Sequence, residues 1–245
     1  TQPALFAFEV TLARLWQLAG IQPDLLLGHS VGEIAAAHIA GVLSLPDAAK
    51  LVCARGRLMQ ACRSGGAMAS LQATEDEVRA VLQEEPGRVD IAGLNGPKQT
   101  VISGDEDAVE RVIEKFTAQG RKGTSLQVSH AFHSAHMDGM LAEFGDIAAS
   151  CTFSKPRLKV VSNVTGTEAR AEELQSPAYW VRHVRQAVRF VDGVKFLASA
   201  GVKTLIECGP QGVLTAMAAG CIDDPSARFI PSHRKSEGER LALSR

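Results

Sequence analysis

Apolar residues recur at helical spacing between Gln2 and Ala19 (Leu5, Phe8, Leu12, Leu15, Trp16), and Gly20 ends the run. Leu25-Leu26-Leu27 is a short unbroken apolar stretch. It predicts a buried strand that leads directly into Gly28-His29-Ser30-Val31-Gly32-Glu33. Ile34 to Ala40 is alanine-rich and predicts a helix stopped by Gly41. Ser44 suits a helix cap, Pro46 its first turn and Asp47 the positive end of its dipole, so a further helix is predicted as far as Cys62.

The rhythm then changes. Ala67 to Leu71 predicts a strand, and Thr74-x-x-Glu77 is a capping box opening a helix to about Glu84. Val89–Leu94 and Thr100–Ser103 predict two strands around a turn at Asn95-Gly96-Pro97. Asp105–Ala118 predicts a helix and Gly123–Val128 a strand. The order βαββαβ is the ferredoxin-like arrangement. Beyond it, the pattern predicts a helix over Ser134–Ala149, a strand over Leu158–Val161, a helix over Phe190–Ala200, a strand over Thr204–Glu207 and a short strand at Phe229-Ile230. Strands alternating with helices imply a parallel sheet covered on both faces. The predicted fold class is α/β: a large α/β-hydrolase-like parallel-sheet subdomain (1–65 and 129–234) with an inserted ferredoxin-like small subdomain (66–128). The polar stretch 235–245 reads as the start of a linker.

Composition narrows the class. The 245 residues are 45% hydrophobic and 22% charged with a net charge of −1, as in an ordinary globular protein with no nucleic-acid footprint. No apolar run reaches a membrane span and no secretory signal opens the chain. The five cysteines are odd in number and form no C-x-x-C pair, which reads as free thiols in the cytoplasm. The chain opens at Thr1-Gln2-Pro3 without an initiator Met and reads as an excised piece of something longer.

Gly28-x-Ser30-x-Gly32 between an apolar strand and a helix is the setting of a nucleophile elbow. Its glycines permit a sharp turn, and the Val31 N–H at the helix N-terminus can hold an oxyanion. A simple Gly-Ser turn would carry the same pattern. The serine needs a base, and His130-Ala131-Phe132-His133-Ser134, after a strand and before a helix, can stand at the rim. A zinc site of His130, His133 and His136 lacks a nearby carboxylate or cysteine, so no metal is expected.

These segments together resemble the acyltransferase domains of modular polyketide synthases and the malonyl-CoA:acyl carrier protein transacylases. The matching stretches are GHSVGE (from Gly28), RGRLM (from Arg55), GAMA (from Gly66), NGPKQTVISG (from Asn95), HAFHS (from His130), SNVTG (from Ser162), YWVRHVRQAVRF (from Tyr179) and ECGPQGVL (from Glu207). They keep the family's order over nearly the whole chain. The resemblance implies Ser30 as nucleophile and His133 as base, with no acidic third member. It implies a backbone carbonyl to His133 from the YWVRHVRQ segment, where the family most often has Asn or Gln and this chain is read as having His183. It puts the malonyl carboxylate on Arg55; spacing alone does not choose between Arg55 and Arg57, and the motif register does. His29, Phe132 and His130 are expected to line the substrate site. HAFH rather than YASH, and Val31 after the serine, imply malonyl over methylmalonyl.

The implied reaction is ping-pong transfer of malonyl from malonyl-CoA through Ser30 to the phosphopantetheine thiol of an acyl carrier protein, with no cofactor bound by the domain. The implied partners are that carrier and an adjacent ketosynthase and linker. Arg182, Arg185 and Arg189, at helical spacing, are candidates for a dock on an acidic carrier. The family's preceding strand and GQG-type segment, with the second oxyanion donor, does not appear, so the central sheet is expected to lack a strand. Three other readings remain: a stand-alone transacylase of fatty acid synthesis, an esterase or thioesterase, and an inactive docking or spacer module.

Overall fold

The computed structural model describes residues 1–233, so the predicted linker from 235 lies outside the described residues. Helix α1 spans Gln2–Leu18 and strand β1 Leu25–Leu27. Helix α2 follows at Gly32–Ile39 and α3 at Leu45–Gln60, the latter capped as predicted by the Ser44 hydroxyl, which accepts from Asp47 N. Strand β2 is Gly66–Leu71, and α4 is Glu75–Leu82 behind the complete Thr74–Glu77 capping box. Then come β3 (Val89–Gly96), β4 (Gln99–Asp105), α5 (Glu106–Ala118) and β5 (Gly123–Ser125). A 3₁₀ turn over Ala135–Met140 runs into α6 (Leu141–Ala149), where the pattern predicts one continuous helix. After β6 (Lys159–Val161) come α7 (Ala171–Leu174) and α8 (Pro177–Arg185), which the pattern does not predict. The chain continues through α9 (Phe190–Ser199), β7 (Thr204–Glu207), α10 (Val213–Ala219) and β8 (Arg228–Pro231).

Two sets of strands result. Strands β3-β4-β2-β5 form one antiparallel sheet in that order, with α4 and α5 as its helices. This is the predicted ferredoxin-like unit, and its core is Leu71, Val78, Ile102, Val112 and Phe116. The parallel strands are two separate pairs, β1-β6 and β7-β8. Strands β1 and β7 are not bonded to each other. A cavity of about 450 Å³ separates them, walled by Leu25, Leu27, Leu205 and Ile206. The main core of the large unit packs α1, α2, α3, α6 and α8 around Ile34, Leu51, Phe144, Tyr179 and Trp180.

The two units are stitched where the site will lie. Along the outer edge of β3, Leu94 N–H donates to Val188 O at 2.8 Å and Val188 N–H to Ala92 O at 2.9 Å. The segment after α8 therefore extends the small sheet. It also breaks the proposed arginine row, because α8 ends at Arg185. Arg185 pairs with Asp90 and Asp138, and Arg189 with Glu75 and Asp192. Of the three arginines only Arg182 is exposed, its guanidinium lying over the Tyr179 ring.

Candidate active site

Ser30 sits between β1 and α2 with φ of +51°, and His133 has φ of +58°. They are the only described non-glycine residues in that left-handed region, which costs an L-residue roughly 1–2 kcal/mol. Such strain persists only where the surroundings hold it. The two glycines of the elbow are not equivalent. A Cβ on Gly28 would lie 2.2 Å from Glu33 N, so the turn needs glycine there. A Cβ on Gly32 would meet only the Glu9 carboxylate at ordinary contact distance, so that glycine is not sterically required.

The two strained side chains meet. Ser30 Oγ is 2.8 Å from His133 Nε2, and His133 Nδ1–H donates to the Gln186 carbonyl at 2.8 Å. That donation fixes the tautomer and leaves Nε2 with a lone pair facing the hydroxyl. Burial, then the nearby positive Arg55, holds the imidazole pKa well below its ordinary value, so the ring is neutral at neutral pH. The Val31 N–H, at the start of α2, has no acceptor among the described residues.

The carbonyl that orients His133 corrects the expectation for His183. The orienting carbonyl belongs to Gln186, three residues on, where the chain leaves the helix. Gln186 is the C-cap, with extended backbone (ψ 162°). His183 is buried instead beneath the elbow, its Nε2 3.5 Å from Glu33 Oε2.

Arg55 lies on the buried face of α3 with Leu51, Leu58 and Met59, and is 2% exposed. Its Nη2 donates to Ser30 Oγ at 2.9 Å and its Nη1 to Gln2 Oε1 at 2.5 Å, while Nε has no partner. Burial lowers its pKa to about 10, so it stays charged at neutral pH. Arg57 is exposed and pairs with Glu143. The i, i+3, i+4 spacing of Leu51, Arg55, Leu58 and Met59 is a signal that separates the two arginines without any motif.

Above these groups opens a cleft of about 730 Å³, with Ser30, Arg55 and His133 on its floor and Met68, Val101 and Phe132 on its walls. His29 also lines it. Its Nε2 lies 2.9 Å from Asn95 Oδ1 across the two units, and burial lowers its pKa. His130 does not line the cleft. It is buried against Ser129 Oγ and the Phe132 ring, which corrects its expected place on the substrate wall. The three histidines of the loop do not converge: His136 bonds Asp105, far from the partners of His130 and His133.

Sequence reasoning gave no role to the layer below the elbow. Glu33 is fully buried and accepts from the Tyr179 hydroxyl and from Asn163 N, and Asn163 touches Ser30 N and Gly28 O. A glutamate in an alanine-rich helix was the available signal, since a buried carboxylate needs partners.

The family described as "Acyl transferase domain" matches residues 1–244. Polyketide synthase GfsA of Streptomyces halstedii is 56% identical over 98% of the chain and 3% of its own length. The spectinabilin polyketide synthase protein NorB of Streptomyces orinoci is 52% identical over 98% of the chain and 11% of its own length. The chain thus spans a small part of the curated relatives it matches. Among solved structures, the acyltransferase domain from the second module of the salinomycin polyketide synthase superposes with TM-score 0.97 at 54% identity, covering 100% of this chain and 57% of that one. FabD of Acinetobacter baumannii gives 0.88 at 31%, covering 100% and 79%. The chain belongs to the acyltransferase domain family of the polyketide synthases, close in fold to the FabD transacylases.

Proposed function

We propose that this chain loads malonyl from malonyl-CoA onto Ser30 and passes it to the phosphopantetheine thiol of an acyl carrier protein. The observation that carries the reading is a buried guanidinium 2.9 Å from a hydroxyl that itself lies 2.8 Å from a neutral imidazole. In the free chain both donating Arg55 nitrogens rest on neutral oxygens. A carboxylate displaces neutral acceptors, because two parallel charge-assisted bonds are stronger. Malonyl then lies with its thioester carbonyl over Ser30.

His133 Nε2 takes the Ser30 proton as Oγ attacks the thioester carbon, and the Val31 N–H stabilises the tetrahedral oxyanion. The C–S bond breaks, and the imidazolium returns the proton to the departing coenzyme A thiolate. In the second half the carrier thiol gives its proton to His133, attacks the serine ester, and Ser30 is restored. Phe132 on the cleft wall and Val31 after the nucleophile favour malonyl, since one blocked methyl is worth roughly 1–3 kcal/mol. One structural neighbour is titled a type II acyl carrier protein in complex with its malonyl-transacylase, which supports a carrier as acceptor. Its setting is a larger cytoplasmic synthase beside a ketosynthase, where all five cysteines of the chain remain free thiols.

The test is intact-mass measurement after mixing with malonyl-CoA and methylmalonyl-CoA together. A malonyl adduct that disappears in Ser30→Ala is the expected result. A methylmalonyl adduct of equal yield would remove the selectivity, and no adduct at all would remove the loading reaction.

A further inference from the structure

We infer that Asn163 is a positioning residue for the nucleophile: its carboxamide locks the elbow by bonding both ends of the strained turn. Asn163 Oδ1 accepts from Ser30 N–H at 2.8 Å, and its Nδ2–H donates to Gly28 O at 2.8 Å. The orientation of the amide is unique, because a flipped group would set donor against donor at Ser30 and acceptor against acceptor at Gly28. The place in the fold explains the choice. Strands β1 and β6 pair in parallel as far as Leu27 opposite Val161, and the ladder stops where the backbone of Ser30 turns left-handed. Two residues past that last pair, the side chain of Asn163 supplies one donor and one acceptor, as the next peptide group of a strand would.

Asn163 is itself held. It is 2% exposed, its N–H donates to Glu33 Oε2 at 2.7 Å, and its carbonyl accepts from Arg189 N at 2.8 Å. Glu33 N–H in turn donates to Ser30 O, which closes a ring of bonds around the nucleophile. Without the carboxamide, Ser30 can relax from φ of +51°, and Oγ drifts from His133. The inference rests on reading Ser30 as the nucleophile, not on the identity of the acyl group.

The test uses a fluorophosphonate, which phosphonylates an activated serine whatever acyl group the enzyme prefers, alongside malonyl loading. Asn163→Ala should slow labelling of Ser30 by about 10²-fold, the size of effect a displacement near 1 Å can have, while KM for malonyl-CoA changes by no more than about twofold. Thr165→Ala is the control. Its exposed hydroxyl lies in the same loop, bonds Thr167 and does not touch the elbow, so labelling should keep the parental rate. Asn163→Asp gives a readout that a purely structural role would not move. Its neutral carboxyl can accept from Ser30 and donate to Gly28, whereas its carboxylate sets an acceptor against the Gly28 carbonyl. Burial beside Glu33 raises the pKa of such a carboxyl, so its labelling rate relative to the parent should rise as pH falls from about 8 to about 6. Should Asn163→Ala fail to fold, this ratio decides alone, and a flat ratio overturns the inference. Parental labelling in Asn163→Ala overturns it too, while leaving the loading reaction standing. A parent chain that takes no label at Ser30 ends the nucleophile reading and the inference together.

Discussion

Around Ser30 the side chains of Asn163, Glu33 and His133 are buried and interlocked: Asn163 bonds the elbow and Glu33, and His133 bonds the Gln186 carbonyl. Around the β3-β4-β2-β5 sheet the arginines are exposed or half-exposed and share carboxylates. Asp105 meets Arg63, Arg88 and His136, and Arg111 meets Glu85 and Asp107. Exposed pairs of the second kind are each worth about 0–1 kcal/mol and can be lost one at a time. A buried group that loses its partner forfeits about 1–3 kcal/mol of desolvation with nothing to replace it. The small unit thus tolerates substitution and the surroundings of Ser30 do not, even though Ser30 and His133 are themselves strained.

The contrast breaks if a substitution at the catalytic floor proves mild. His133→Ala should lower malonyl loading by about 10³-fold or more, the upper range for a positioned general base, while the fold survives. Labelled malonyl uptake per mole of protein reads the loss, and thermal melting reads the fold. Lys115→Ala, at the half-exposed pair with Glu84 in the small unit, is the matched control and should leave uptake unchanged.

Arg55→Gln comes next in size. Losing two charge-assisted bonds to the substrate carboxylate should cut kcat/KM for malonyl-CoA about 10²-fold. It should also move the acid limb of the pH profile. The base works as the neutral imidazole, so activity is lost when His133 is protonated. Burial and the Arg55 charge both depress its pKa, so the parent should stay active well below the ordinary histidine range. Removing the Arg55 charge raises the His133 pKa, and the variant should lose activity at a higher pH than the parent. An acid limb that stays in place would show that burial alone sets the base.

What the sequence made legible follows the same division. The small unit is built by local rules, so the Thr74 capping box, the strand order and the α5 boundaries are readable from spacing. The elbow is readable because Gly28, Ser30 and Gly32 lie within five consecutive residues. Its supports are not, because Asn163 and Gln186 reach it across 133 residues to Ser30 and 53 residues to His133. The carbonyl belongs to Gln186 and not His183, because the extended backbone at the C-cap of α8, which spacing does not predict, is what faces His133. The motif puts His130 at the wall, yet its ring is held against Ser129 Oγ and the Phe132 ring, outside the cleft lining. Helical spacing puts Arg189 in a row with Arg182 and Arg185, but α8 ends at Arg185 and Arg189 turns to Glu75 and Asp192.

Stability gives the finer comparison. Thr74→Ala removes the hydroxyl that accepts from Glu77 N and should cost about 1 kcal/mol, with loading untouched. Denaturant melts beside a loading assay read both, and a loss of loading would mean that α4 communicates with the cleft.

Set against Ser30→Ala, Ser30→Gly should do the opposite at a smaller amplitude. The left-handed backbone costs serine roughly 1–2 kcal/mol and glycine almost nothing. Against this, glycine loosens the unfolded chain by about 0.5–1 kcal/mol. In both Ser30→Gly and Ser30→Ala the lost hydroxyl leaves His133 Nε2 and Arg55 Nη2 without that partner, so this cost cancels between the two variants. Ser30→Gly should therefore be more stable than Ser30→Ala by about 0.5 kcal/mol, with loading abolished in both. Ser30→Ala makes the sign interpretable, because alanine keeps the strain and removes the same oxygen. If both variants melt together, the strain at φ of +51° is absorbed by the bonds around it, and the elbow is held at no cost to the fold.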